Sequence, residues 1–266
     1  MNFDNKINFS FGFTPDYDGF KNMEIDRYLG QDNSPVKPII RFFTWDHPTI
    51  SIGHNQNPQK RLNLKKCMAD TLEVVRRPTG GREILHGYDL CFSVIWPFSS
   101  TASRIDSRKL FDSINQIIAG GLKRLGIDSQ WKTISIKSGA VSGPCFAQVD
   151  RGEITIDGCK LVASAQRTFD SVFLQQSSIP LTKSKLDIID YMKHNDDEKN
   201  RIRNLMRGTE TTLERHFSET ISTVEIVDQF RESFEESFGS KAETMDHELK
   251  SFNEYYSKNK KLGKIT

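Results

Sequence analysis

Long apolar runs are missing from this chain of 266 residues. The longest, residues 90–98, is interrupted by Ser93 and Pro97 and falls short of the roughly 20 residues that a membrane-spanning helix needs. The first residues, MNFDNKINFSFG, have neither the basic start nor the continuous apolar segment of a signal peptide. We therefore expect a soluble, cytoplasmic protein with no membrane partner.

A strong excess of charge is missing as well. The chain has 37 Lys and Arg residues against 35 Asp and Glu residues, for a formal net charge of +2. Proteins whose main partner is nucleic acid depend on a basic field to attract phosphates. Nucleic acid is therefore not expected as a partner.

Cysteine is scarce and follows no ligand pattern. The four cysteines form no CxxC pair, and no histidine lies at zinc-finger spacing from them. We expect neither a disulfide framework nor a metal or other cofactor in a cytoplasmic chain of this length. What the pattern leaves open is whether one of the four is chemically special: Cys67, Cys91, Cys145 and Cys159.

Short runs of β-branched and aromatic residues predict strands. The first two such runs are separated by Asp46-His47-Pro48 and are expected to pair as a hairpin. The strongest hairpin signal is Asp157-Gly158, because this dipeptide suits a type I′ turn. The predicted strands are Ile39–Trp45, Thr49–Ile52, Glu73–Arg76, 89–96, Ile154–Ile156, 160–165 and 171–176.

Helical patterns flank these strands. A short helix is predicted over 20–29, stopped by Gly30, and a longer one from Ser107 to a terminator at Gly126. In the longer helix, Gly120-Gly121 suggests close packing against a neighbour.

Beyond Pro180 the chain is predicted to be helical. Ser222 and Glu225 form a capping box before an apolar face. We expect residues 241–266 to form a polar, frayed tail. The pattern as a whole indicates one α/β (α+β) domain over 20–240, with a helical C-terminal layer.

The segment from Arg76 to His86, RRPTGGREILH, carries the first chemical signal. Gly80-Gly81 allows a sharp turn and a close backbone approach to a ligand, and the flanking arginines supply fixed positive charge for a phosphate or carboxylate. From composition alone, a solvated basic turn explains the segment equally well.

Several separated motifs resemble the catalytic domain of the biotin/lipoate ligase and octanoyltransferase superfamily. These are RRPTGGREILH, the preceding RFFTWDHPTISIG, the following DLCFSV, Asn22-Met23 with Asp26, and DGCKLVASAQR. The GRGRxGR-type loop of biotin ligases is absent. The resemblance implies a single catalytic domain with a mixed, largely antiparallel sheet flanked by helices.

Two features resemble the LipM-type octanoyltransferase branch. Arg82 follows the glycine pair where lipoate ligases usually carry a third glycine, and Cys145-Phe146 precedes Lys160 by the separation typical of that branch. The resemblance implies that Cys145 is the acyl-thioester nucleophile. It also implies that Lys160 lowers the pKa of this cysteine or contacts the oxyanion.

The resemblance further implies a substrate-binding set: Arg76, Arg77, Gly80, Gly81, Arg82, His86, Ser164 and Ala165. A structural role for His86 is nearly as well supported. The implied donor is octanoyl-acyl carrier protein. The implied acceptor is a lysine of the glycine-cleavage H protein or of a lipoyl domain of the 2-oxoacid dehydrogenases.

Other functions stay open at this point. An amidotransferase moving octanoyl from H protein to other lipoyl domains would use the same cysteine. An ATP-dependent lipoate ligase would not need it. A non-catalytic module that holds acylated carriers would form no acyl-enzyme.

Three departures from the family pattern bear on donor or acceptor identity. Ala163 stands where glycine is usual, and Gln176-Ser177 replaces His-Gly. Glu83 replaces a small residue beside Arg82 and is expected to neutralise it.

Overall fold

A computed structural model describes residues 6–33, 35–97, 107–131, 143–147, 153–169 and 171–259. Its strands are β1 (Ser10–Tyr17), β2 (Ile39–Trp45), β3 (Thr49–Ile52), β4 (Glu73–Arg76), β5 (Ile84–His86), β6 (Asp89–Pro97), β7 (Gln130–Trp131), β8 (Ile154–Ile156), β9 (Cys159–Thr168), β10 (Val172–Pro180) and β11 (Glu243–Thr244). Its α-helices are α1 (Gly19–Arg27), α2 (Pro58–Arg61), α3 (Leu64–Ala69), α4 (Ser107–Arg124), α5 (Asp196–Met206), α6 (Thr223–Phe238) and α7 (Asp246–Asn259). Short 3-10 turns cover Cys145–Ala147, Ile188–Tyr191 and Leu213–His216.

Within the described ranges the strands form two sheets. The larger sheet has the order β11-β1-β2-β6-β10-β9-β8-β7, and the smaller has the order β4-β3-β5. In the larger sheet β1 is parallel to both β11 and β2, and the other pairs are antiparallel. The predicted mixed, largely antiparallel α/β fold is confirmed.

The expected hairpin between β2 and β3 is wrong, although both strands have the predicted bounds. Strand β2 lies between β1 and β6, whereas β3 lies between β4 and β5 of the other sheet. Both strands are buried along nearly their whole length. A strand buried on both faces needs neighbours on both edges, and a two-stranded hairpin would leave those edges unpaired.

The turn at Asp157-Gly158 is confirmed. The φ angles of these residues are 49° and 80°, as a type I′ turn requires. The turn joins β8 to β9, and β9 continues to Thr168 because β10 pairs alongside it. This hairpin carries the candidate catalytic lysine.

Helices α4 and α6 pack together on the larger sheet. A Cβ atom at Gly121 would lie 2.4 Å from Cδ1 of Phe230, so the close packing predicted for the glycine pair is confirmed. The capping box of Ser222 and Glu225 is present at the start of α6. Full burial of Phe230 contributes roughly 1.5–3 kcal/mol to this core.

The two ends of the domain differ from expectation. Residues 246–259 form α7 rather than a frayed tail, and Phe252, 1% exposed, packs against the ring of Tyr28. Gly30 does not stop the first helix, because the chain continues in a π-helical turn over Tyr28–Asp32. Residues 260–266 of the expected tail lie outside the described residues. Among the described residues, no helix is long and apolar enough to cross a membrane.

Candidate active site

A cavity of about 770 Å³, its mouth included, opens where the smaller sheet meets strands β6, β9 and β10. Apolar side chains form much of its wall: Met23, Phe43, Trp45, Ile84, Cys91 and Ala163. Such a lining favours an apolar substrate group, because its burial removes hydrocarbon from water.

Cys145 lies on this wall, at the start of the 3-10 turn Cys145–Ala147. Its backbone N–H donates to the carbonyl of Glu83 at 3.1 Å, which holds the turn against the loop before β5. The Nζ atom of Lys160 lies 3.8 Å from Cys145 Sγ and donates to the Cys145 carbonyl at 2.8 Å. The two residues that the family resemblance pairs are therefore in contact.

Lys160 is completely buried behind the cysteine. Its backbone bridges to a later segment, since its N–H donates to the carbonyl of Thr209 and its carbonyl accepts from the N–H of Thr211. Its ammonium forms an ion pair with the carboxylate of Glu153, which is also buried and lines the cavity. A buried ammonium is tolerated because this carboxylate compensates its charge.

The glycine loop (residues 78–83) forms another part of the wall and is held from inside by Arg77. The guanidinium of Arg77 is buried and donates to the carbonyls of Gly80, Arg82 and Ser51. Burial lowers the pKa of this guanidinium. Arg77 lines the cavity, but these hydrogen bonds commit it to shaping the loop.

The other residues predicted to bind substrate take different positions around this loop. Gly81, Arg82, His86, Ser164 and Ala165 line the cavity. Two do not. Arg76 is exposed and donates from Nη1 to the carbonyls of Gly53, His54 and Gln56, while Gly80 offers its carbonyl to Arg77.

Gly81 is the glycine that the loop requires. Its φ angle is 93°, and a Cβ atom there would lie 2.7 Å from Nη2 of Arg77. A Cβ atom at Gly80 would meet nothing within 4 Å. Of the predicted pair, only the second residue therefore needs to be glycine for conformation and space.

His86 is held in a chain of hydrogen bonds at the cavity wall. Its Nδ1 atom lies 2.7 Å from Asp89 Oδ2, and its Nε2 atom lies 2.8 Å from Ser51 Oγ, which accepts from Arg77 at 3.0 Å. Trp45 stacks on the imidazole at a ring distance of 4.2 Å. The neighbours assign an Nδ1–H tautomer, with Nε2 accepting from the Ser51 hydroxyl.

His86, Asp89 and Cys91 form the one cluster of three potential metal ligands within the part of the chain that the structure describes. Their atoms are engaged with one another, because the Cys91 thiol donates to Asp89 at 3.2 Å. Burial and the nearby Asp89 carboxylate raise the pKa of Cys91 well above its ordinary value. The protonated thiol makes this cluster a hydrogen-bond network.

The chain matches the family model of the lipoyl protein ligase A/B catalytic domain over residues 18–235. It belongs to this family. It is similar to an octanoyltransferase LipM from Carboxydothermus hydrogenoformans, with 30% identity over 84% of this chain and 83% of the relative. An octanoyltransferase LipM from Geobacillus kaustophilus is also 30% identical, over 80% of each chain. Family membership and these relatives support an acyltransferase enzyme.

The fold is shared with a solved structure of a bipartite lipoate protein ligase from Thermoplasma acidophilum. The TM-score is 0.75 at 17% identity, covering 95% of this chain and 93% of that one. This structure confirms the predicted fold, and the family model confirms the predicted superfamily.

In this lipoyl protein ligase family member, Gln176 replaces a usual histidine. Its amide oxygen accepts from Thr79 Oγ1 at 2.7 Å, and its amide nitrogen donates to Asp26 Oδ2 at 2.7 Å. Asp26 in turn pairs with the buried Arg41 at 2.9 Å. The replacement therefore links the glycine loop to the first helix.

The other departures also have structural consequences. Glu83 does not neutralise Arg82, because its buried carboxylate pairs with Arg61 from the other side of the loop. The methyl group of Ala163 packs with Ile84 and Phe146, which helps to seat the turn that carries the cysteine.

Glu153 and Asp89 are site residues that the sequence pattern does not identify. Glu153 lies seven positions before Lys160, just outside the β8–β9 hairpin. A lone acid there looks solvated, because the strand pattern begins only at Ile154. Asp89 follows His86 by three positions, and this spacing was the available signal.

Proposed function

We propose that this family member is an octanoyltransferase of the LipM type. In this proposal the donor is octanoyl-acyl carrier protein, Cys145 carries the octanoyl group as a thioester, and the acceptor is a lysine of a lipoyl domain or of the glycine-cleavage H protein. The octanoyl chain would lie in the apolar part of the cavity.

The contact between Cys145 and Lys160 carries the proposal. Cys145 is a half-buried residue on the cavity wall, and a buried ammonium lies 3.8 Å from its sulfur. A cation next to a thiol favours the thiolate, which is the nucleophilic form. A ligase that activates its acid with ATP has no use for a nucleophile at this position.

Energetics agree with a transferase that needs no ATP. The donor thioester and the Cys145 thioester contain the same type of bond, so the first transfer is close to isoenergetic. The second transfer converts a thioester to an amide, which is strongly downhill. The enzyme-bound thioester holds the acyl group while carrier and acceptor exchange places.

The relatives add independent support, since both are named octanoyltransferase LipM and the chain covers four fifths or more of each. A donor other than the acyl carrier protein, such as octanoyl-H protein, would use the same sulfur and the same cavity.

The test is intact mass spectrometry after the protein is mixed with octanoyl-acyl carrier protein without ATP. We expect one octanoyl adduct that is sensitive to hydroxylamine and absent from Cys145→Ala. Cys159→Ala is the matched control, because Cys159 is also half-exposed but lies at the start of β9 and does not line the cavity.

Each other outcome identifies a different reaction. An adduct only with octanoyl-H protein indicates the amidotransferase. Modification of a lipoyl domain that requires ATP and free lipoate, and that survives loss of Cys145, would overturn the transferase proposal.

A further inference from the structure

The carboxylate of Glu153 contacts the Lys160 ammonium, which also lies next to the Cys145 sulfur. Glu153 is 4% exposed and Lys160 is fully buried, and their ion pair lies at the cavity wall. Around Nζ of Lys160 are the Glu153 carboxylate, the Cys145 carbonyl oxygen at 2.8 Å and Cys145 Sγ at 3.8 Å. An ammonium, which donates through three N–H groups and accepts nothing, suits such neighbours.

The Glu153 carboxylate influences whether Lys160 and Cys145 are an ammonium and a thiolate or a neutral amine and a thiol. A neutral lysine amine has two N–H groups and a lone pair, and it would accept a hydrogen bond from the Cys145 thiol. An ammonium donates to the sulfur and so suits the thiolate. A carboxylate beside the nitrogen stabilises the ammonium by Coulomb attraction, which is strong where water is excluded.

We infer that Glu153 is a positioning residue that holds Lys160 as an ammonium and thereby keeps Cys145 ionised for acyl transfer. The inference rests on the proposed function for the use of the thiolate. It adds a third member, Glu153, to the pair that the sequence identifies.

Proton movements balance in this scheme. The Cys145 thiolate forms a bond with the acyl carbon, the C–S bond of the donor breaks, and the donor leaves as a thiolate that takes a proton from water. In the second transfer, the acceptor amine forms the C–N bond, the bond to Cys145 Sγ breaks so that the sulfur leaves as a thiolate, and the proton lost by the amine passes to water. Lys160 remains an ammonium and Glu153 a carboxylate throughout.

Other charged and titratable groups also face this site. Arg77 and the Cys145 sulfur interact electrostatically, and so do Glu210 and Lys160. Arg82 and His86 lie on the same cavity wall, and Glu83 lies on the adjoining loop. A substitution at Glu153 leaves all five in place, so a comparison of variants isolates the effect of its carboxylate.

The experiment measures the rate at which iodoacetamide alkylates Cys145, by peptide mass spectrometry, between about pH 5 and pH 10. We expect the alkylation profile of Glu153→Gln to lie about one pH unit or more above that of the wild type, so that Cys145 of the variant is alkylated about tenfold more slowly at neutral pH. Glu153→Asp should restore part of the shift.

Kinetics provide the second readout. Glu153→Gln should slow acyl-enzyme formation about tenfold at neutral pH through kcat, with KM for the carrier unchanged, and the deficit should shrink at high pH. Glu248→Gln is the matched control, because Glu248 is a buried carboxylate that accepts from Ser10 at 2.7 Å and does not line the cavity.

An alkylation profile that is the same in Glu153→Gln and the wild type would overturn the inference. Wild-type alkylation of Cys145 that is no faster at neutral pH than that of the half-buried Cys159 would do so as well, even if the glutamine variant does not fold. Failure of the proposed function is a separate result, because it would be seen as a wild-type protein that forms no acyl-enzyme.

Discussion

The Nζ atom of Lys160 lies 3.8 Å from the Sγ atom of Cys145, although the two residues are fifteen positions apart. The lysine comes from the β8–β9 hairpin and the cysteine from a separate 3-10 turn. The contact is made behind the cavity wall, where the ammonium is shielded from water. Shielding strengthens charge interactions at this point, so the loss of one partner of the Lys160–Glu153 ion pair would leave the other as an uncompensated buried charge.

Removal of the lysine charge should therefore cost stability. We expect Lys160→Met to lower the free energy of unfolding by roughly 3–5 kcal/mol, because the buried Glu153 carboxylate loses its cation. Addition of Glu153→Gln should recover part of this loss, since the double variant no longer buries a charge. Urea unfolding of both single variants and the double variant measures the coupling. A double variant less stable than Lys160→Met would contradict the prediction.

The glycine loop offers a matched pair of substitutions. Gly81→Ala should reduce the rate of acyl-enzyme formation about tenfold or more and cost roughly 1–2 kcal/mol of stability, because φ is 93° and the methyl group would displace Arg77. Gly80→Ala is the control and should change both quantities little, since its Cβ meets nothing within 4 Å. Equal effects of the two changes would show that the loop does not depend on the conformation of Gly81.

Asp89 should make stability depend on pH in the acid range. Burial raises the pKa of Asp89, but the contacts with His86, Ser178 and Cys91 lower it more, so the folded-state pKa lies below the ordinary value of about 3.9. The ionised carboxylate therefore stabilises the fold above about pH 4, and this stabilisation is lost as the pH falls through the folded-state pKa.

We expect Asp89→Asn to unfold at lower urea concentration near neutral pH and to lose less stability than the wild type on acidification below about pH 4. The exposed Asp197→Asn is the comparison variant. Parallel stability curves for wild type and Asp89→Asn would contradict the prediction.

The C-terminal helix should contribute to stability. Phe252 is 1% exposed and stacks with Tyr256 at a ring distance of 5.3 Å. Phe252→Ala should cost about 3–5 kcal/mol, and Phe252→Leu less, because leucine keeps most of the apolar volume. Thermal unfolding measures both, and an unchanged transition in Phe252→Ala would show that the helix does not dock.

Interactions between residues close together in the chain explain the structural features that the sequence predicts correctly. The Asp157-Gly158 turn, the Ser222–Glu225 capping box and the bounds of β2, β3 and β4 follow from interactions within a few residues. The close approach of Gly121 to Phe230 is signalled by the glycine pair itself. The family resemblance and the contact of Cys145 with Lys160 also come from motif spacing.

Tertiary structure alone decides the remaining features. Neither the separation of β2 from β3 into two sheets nor the docking of α7 is a property of the local pattern, because each depends on which distant surfaces are buried together. The same is true of the roles of charged residues. Arg76, Arg77 and Glu83 are all charged residues close to the glycine pair in the sequence. In the fold, Arg76 contacts backbone carbonyls of another loop, Arg77 holds the glycine loop, and Glu83 pairs with Arg61. Burial and neighbours, which a sequence does not state, determine whether a charge binds substrate or holds the protein together.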